Sequence, residues 1–228
     1  MEFMEKAEFN FKSLQQVFES HADRQTANGQ KAYLKNQFEF LGIKTPLRRQ
    51  IQKPFLKKEW VNIIEKRNEL VEILWGAAER EYQYFGQELI LLAVKNFDRS
   101  EIGLIENMII RKSWWDTVDF LATKLAARYF LLYPEEIQST VNRWLSEGNR
   151  WLIRTAIIFQ LHYKEKTDIQ LLAYIILSQQ GSKEFFINKA IGWALRQYSR
   201  TNPQWVHAFI ASHELDPLSK REGGRLLG

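Results

Sequence analysis

The densest chemical feature of the 228-residue chain is the string Ser113-Trp114-Trp115-Asp116-Thr117-Val118-Asp119. On a helix Trp115 and Asp119 stand at i and i+4 and share one face. Trp114 points about 100° away from them and can enter a core. Taken alone, the string has a plain reading in which both indoles pack and the acids cap a helix or are solvated. Two later sites add to it. Arg154, with Trp151 nearby, falls one helical repeat on at a position equivalent to Asp119, and Trp193 follows Gly192 in a helical stretch. A glycine inside a helix costs about 1 kcal/mol relative to Ala and marks close approach by another backbone or a ligand. If equivalent positions of stacked repeats face one groove, that groove holds Trp115, Asp119, Arg154 and Trp193. A carboxylate between indoles stabilises developing positive charge. Indole faces attract cations by about 0.5–2 kcal/mol, and a basic rim holds phosphates without reading sequence.

Phosphate contacts are expected from Arg48, Arg49, Lys112, Lys183, Lys189 and Lys220, each of which also fits a solvated surface charge. Tyr33 fits a core or capping role equally well. Phe185 and Phe186 are expected in the core. His21, His162, His207 and His213 show no ligand spacing, and there is no cysteine, so thiol nucleophiles, zinc–thiolate sites, iron–sulfur clusters and disulfides are excluded. No metal and no cofactor are expected.

Charge narrows the choice of partner. The chain carries +5 with a pI near 9.3. Residues 151–228 hold ten Lys and Arg against six Asp and Glu, while residues 1–150 are close to balance. A basic excess confined to the last third points to a polyanion-facing surface. The longest aliphatic run, Leu89–Val94, is far short of the roughly 20 residues a membrane span needs. The acidic and aromatic N-terminus does not resemble a signal peptide, so neither a membrane nor an exported location is expected.

The elements that must position these residues read as helices. In residues 80–95, Tyr82, Phe85, Leu89, Leu92 and Ala93 recur at steps of three and four; in 151–163 so do Leu152, Ala156 and Phe159. Thr45-Pro46 supplies an N-cap and a proline at the first helical position. Tyr133-Pro134-Glu135-Glu136 and Thr201-Asn202-Pro203 mark two further starts. Valine totals only seven, and no hairpin turn joins alternating strands. Aromatic-led segments begin near Tyr82, Trp115, Trp151 and Phe185, each followed by a second amphipathic stretch and a connector such as Ser146-Glu147-Gly148-Asn149. The expectation is an all-α chain, an α-solenoid of antiparallel helix pairs with one concave face, forming a single domain over residues 1–228. Poor identity between the repeats leaves a non-repetitive helical bundle open.

From about Tyr33 to Arg221 the chain resembles the AlkD-like DNA alkylation-repair glycosylases, which are built from HEAT-like repeats. The resemblance is carried by Ala32-Tyr33-Leu34-Lys35-Asn36, Phe40-Leu41-Gly42-Ile43, Thr45-Pro46 with Arg48-Arg49, and Lys112-Ser113-Trp114-Trp115-Asp116. It continues through Val118-Asp119, Trp151-Leu152 with Arg154, Phe159-Gln160-Leu161, Ser182-Lys183-Glu184-Phe185-Phe186-Ile187, Lys189-Ala190-Ile191-Gly192-Trp193 and Pro217-Leu218-Ser219-Lys220-Arg221. It implies hydrolytic removal of 3-methyladenine, 7-methylguanine and similar N-alkylated purines from double-stranded DNA. The family's catalytic acid matches Asp119, its two groove indoles match Trp115 and Trp193, and its DNA-contacting pair matches Tyr33 and Arg154. The glycine-rich ending from Glu222 departs from the family, whose last helix runs on. A monomer in the bacterial cytosol is expected. The competing reading is a non-catalytic helical-repeat protein that binds DNA or a protein partner.

Overall fold

A computed structural model describes residues 2–61 and 64–227. Among the described residues there are helices and turns but no strand; one isolated bridge joins Glu39 to Glu79. No helix there is long and apolar enough to cross a membrane. The chain forms two compact units, one reaching to Leu104 and one starting at Ile105.

The first unit contains α1 (Glu2–Ser20), α2 (Arg24–Tyr33), α3 (Thr45–Gln52), α4 (Ile64–Gly76), α5 (Arg80–Ile90) and the start of α6 (Glu101–Ile110). Its core stacks Phe18 of α1 on Tyr82 at 5.6 Å and sets it edge-on to Phe85. The loop before α3 is held by Glu81, a buried carboxylate that accepts the backbone N–H groups of Leu41, Gly42 and Ile43 at 2.9–3.1 Å. Burial pushes its carboxyl up, against those hydrogen bonds. Gly42 sits at φ +90°, where a Cβ would lie 2.0 Å from the Asp23 carbonyl oxygen, so the close approach requires glycine. Helix α3 starts one residue earlier than expected: Lys44, not Thr45, is the capping position, and Pro46 is the second helical residue.

The second unit takes in the rest of α6 and then α7 (Trp115–Phe120), which runs through a π-helical stretch (Leu121–Ala126) into α8 (Ala127–Leu132). Then come α9 (Ile137–Glu147), α10 (Arg150–Ile158), α11 (Ile169–Ser178), α12 (Phe185–Tyr198), α13 (Pro203–Ser212) and α14 (Pro217–Gly223). The helices α7, α10, α12 and α14 pack each against the next, with α9, α11 and α13 as the alternating partners in the chain. Starts at Arg80, Trp115, Arg150 and Phe185 reproduce the aromatic-led period of the sequence. The connectors are as short as the low Gly and Pro content demands. Gly148 ends α9 at φ +68°, and the Asn149 side chain at once caps α10 by accepting from the N–H of Trp151. Asn202 caps α13 in the same way. Leu121, Ala122, Leu125, Tyr129, Phe130, Trp144, Ile158 and Phe159 are almost fully buried and form the centre of this unit.

Candidate active site

Three helices of the second unit meet at one guanidinium. Arg154, in the second turn of α10, donates from Nε to Asp119 Oδ1 at 2.7 Å and from Nη2 to Asp119 Oδ2 at 2.9 Å. Its remaining Nη1 donates to the backbone carbonyl of Phe186, in the first turn of α12, at 2.6 Å. The two-pronged pair fixes the carboxylate plane as well as its position. The Arg154 side chain is 6% exposed and that of Asp119 18%. Water therefore reaches the acid but hardly touches the base.

Aromatic packing sets that convergence. Trp114, at the capping position of α7, lies 5.7 Å from Trp151 of α10 and 5.0 Å from Phe186 of α12, and Trp151 lies 5.0 Å from Phe186. The triangle ties together the first turns of the same three helices that supply Asp119, Arg154 and the Phe186 carbonyl. Trp114 is thus a packing indole, though extended backbone before the helix, and not a helical phase, turns it inward. Trp115 starts α7 one turn before Asp119 and is half-buried. Thr123 donates to the Asp119 carbonyl at 2.7 Å, where the helix widens into its π turns.

Burial pushes the Asp119 carboxyl above its usual value; the Arg154 hydrogen bonds and charge pull it back, and Asp116 adds a small push upward. The guanidinium itself never gives up its proton, so the carboxylate always faces a positive charge. The acid is held close to a fixed positive charge, whose two-pronged grip on it the sequence pattern did not disclose.

On α12, Lys189, Trp193 and Arg196 share a stripe at i, i+4 and i+7. Trp193 is half-buried, about two turns beyond Phe186. Gly192 beside it is where α14 comes closest: a Cβ there would stand 2.5 Å from the Glu222 Cβ and 3.2 Å from the Ser219 carbonyl oxygen. Glu222, seated over that glycine, pairs with Lys189 at 3.1 Å and with Arg196 at 2.7 Å. The Lys189 hydrogen bond first, and then Arg196, hold its carboxyl below the usual range. Burial of Gly223 against Leu195 and Ile210 makes the glycine-rich ending part of the same helix contact.

The remaining sequence candidates divide sharply. Tyr33, at the end of α2, is 69% exposed and is no core residue. Lys183 and Lys220 are exposed, and Lys112 is half-buried in a left-handed turn at φ +44°. Arg48 corrects the expectation of a phosphate contact. It is 3% exposed, donates to Gln52 at 2.7 Å and to Glu88 at 3.0 Å, and lies over the Tyr84 ring. Its neighbour Arg49 points outward while holding the same Glu88. Lys189 is part-exposed and paired with Glu222 of its own chain. Phe185 is a second correction: expected in the core, it is 58% exposed because it is the first residue of α12, beyond the slot that Phe186 fills. Glu222 and the Phe186 carbonyl escaped sequence reasoning, although Gly192 inside a helix was a signal for the close approach of α14. Among the described residues no group of His, Asp and Glu is placed to hold a metal ion.

Residues 14–227 match the model of a family described as DNA alkylation repair enzyme. A solved structure of a predicted DNA alkylation repair enzyme from Enterococcus faecalis is similar with a TM-score of 0.85 and 38% identity, over 91% of this chain and 97% of that one. No protein of curated function matches.

Proposed function

The chain belongs to the DNA alkylation repair enzyme family, and from that premise we propose that it is a glycosylase for positively charged N-alkylated purines, such as 3-methyladenine and 7-methylguanine, in duplex DNA. The observation that carries the proposal is the Asp119 carboxylate, one-fifth open to water and clamped in a fixed plane by Arg154. Alkylation at N3 or N7 gives the purine a formal positive charge. When the C1′–N bond breaks, the bonding pair stays with the base, which leaves neutral without prior protonation. The positive charge passes to the sugar as an oxocarbenium-like centre, and a water oxygen then bonds to C1′ and loses a proton.

In this reaction Asp119 stabilises the sugar charge and orients the water. Its ion pair with Arg154 holds it ready, so no reorganisation is needed when the charge develops. Trp115 and Trp193 contact the sugar and strip water from the site, which strengthens the carboxylate's field. Tyr33 and the exposed Lys183 and Lys220 hold the DNA backbone, with Lys112 beside α7. Arg154 acts in the free protein by positioning Asp119. The helix pairs are HEAT-like repeats of one DNA-binding domain, working as a monomer in the bacterial cytosol without a cofactor.

Base release from methylated duplex DNA tests this, comparing the parent with Asp119→Asn. The expected result is loss of most excision with duplex binding retained and the variant folded by circular dichroism. Equal release of 7-methylguanine by the two proteins would remove Asp119 from the mechanism.

A further inference from the structure

The stripe of α12 that carries Trp193 has a cation one turn before it, Lys189, and another one turn after it, Arg196. Cations on such a face are natural phosphate ligands. Here both are held by Glu222 of α14, at 3.1 Å and 2.7 Å. The acid is placed there by backbone packing: Gly192 has no Cβ, and the Glu222 Cβ occupies the space one would need. Ser219, one turn earlier in α14, donates to the Asn188 carbonyl at 3.0 Å and locks the register of the two helices. Two positive charges and one negative charge thus share a small surface beside Trp193, and a phosphodiester arriving there must compete with a carboxylate already seated.

We propose that Glu222 sets the strength with which this face of α12 holds DNA, by keeping Lys189 and Arg196 internally paired so that undamaged duplex is released readily. The inference rests on the DNA-binding reading above and adds a regulator of that same surface. An enzyme that must search long stretches of undamaged DNA gains from weak non-specific contacts. Built-in competition for the two cations limits those contacts without removing the charges that steer the first encounter.

The test is duplex binding across a salt series, with Glu222→Gln and Glu222→Ala beside the parent, on unmodified and on methylated DNA. Both variants keep the Cβ over Gly192, and both remove the charge. Each released cation that reaches a phosphate steepens the dependence of log affinity on log salt by about 0.9. If such a contact is neutral at 1 M salt, it tightens binding about eightfold at 0.1 M and about sixtyfold for two. The expected result is tighter binding of unmodified duplex by both variants, a steeper salt slope, and loss of about half of the gain when Lys189→Gln is added to Glu222→Gln. A packing strut alone would give the opposite sign: weaker or unchanged binding, an unchanged slope, and a lower melting temperature. That outcome overturns the inference while leaving the functional reading intact. Absence of salt-dependent duplex binding by the parent overturns both.

Discussion

Replacing Arg154 by Gln removes three charge-assisted hydrogen bonds at once: two to the Asp119 carboxylate and one to the Phe186 carbonyl. The larger cost is the carboxylate left behind. Breaking a buried ion pair by deleting one partner costs about 3–5 kcal/mol. Asp119 keeps 18% exposure, so the lower end applies, about 3 kcal/mol. For a unit of about 120 residues, an unfolding entropy of about 2.1 cal/mol/K per residue converts this to a melting-temperature loss of roughly 12 °C. The loss depends on pH with a definite sign. Burial already raises Asp119, and Arg154 is the counterweight; in the variant the folded carboxyl rises further above its unfolded value. The folded variant then binds a proton that the unfolded chain does not, so its stability falls as pH rises through that interval. The deficit relative to the parent is greatest in neutral and alkaline solution and shrinks on acidification. Thermal unfolding by circular dichroism from pH 5 to 8 measures it. Base release by the same variant should move its acid limb to higher pH, because Asp119 must still ionise to act. A melting deficit independent of pH, together with an unmoved acid limb, would refute the coupling of Arg154 to Asp119.

Two other substitutions follow from the geometry. Gly192→Ala gains about 1 kcal/mol of helix propensity but drives a methyl to 2.5 Å from the Glu222 Cβ. Overpacking of this kind costs about 1–3 kcal/mol, so chemical denaturation should show a net loss of up to about 2 kcal/mol, and a stabilised variant would show that α12 and α14 are not locked. Arg48→Gln should lower stability by about 3 kcal/mol, the lower end for a buried pair because Arg49 still holds Glu88, whereas Arg49→Gln, at the exposed end of the same Glu88, should cost under about 1 kcal/mol. Burial pushes Glu88 up but the two arginines outweigh it and leave it below its usual value. Their contribution is therefore complete above about pH 4.5 and disappears as pH falls through the lower folded value. Equal losses for the two variants, or a loss from Arg48→Gln that persists in acid, would count against the buried network.

Periodicity made the helices legible, because each buries one stripe and the stripes are written in Tyr82, Phe85 and Leu89 or in Leu152, Ala156 and Phe159. The start after Asn202 was legible, where a side chain does the capping, whereas the caps at Asp23, Asp168 and Asp216 were not read. At the site, spacing grouped Trp115 with Asp119 and assigned Trp114 to packing. Pairing between distant charges was legible only where repeat equivalence set the two in one groove, as for Arg154 and Asp119. That Arg48 reaches Glu88 and Lys189 reaches Glu222 was not, since each partner is more than 30 positions away and is fixed only by tertiary contact. The division into two compact units was also invisible, because no run of glycine, proline or polar residues marks it.

The π turns from Leu121 to Ala126 carry one more consequence. An α-helix commits every residue along its length to a single rotational phase. Widened turns change that phase midway, so the half that presents Asp119 and the half that buries Tyr129 and Phe130 need not obey one register. Mutational drift in the buried half can then be absorbed by repacking there, without rotating the acid away from Arg154. The segment works as a phase coupling between two rigid rods, and it lets one continuous helix satisfy a core and the Asp119–Arg154 pair with different angular demands.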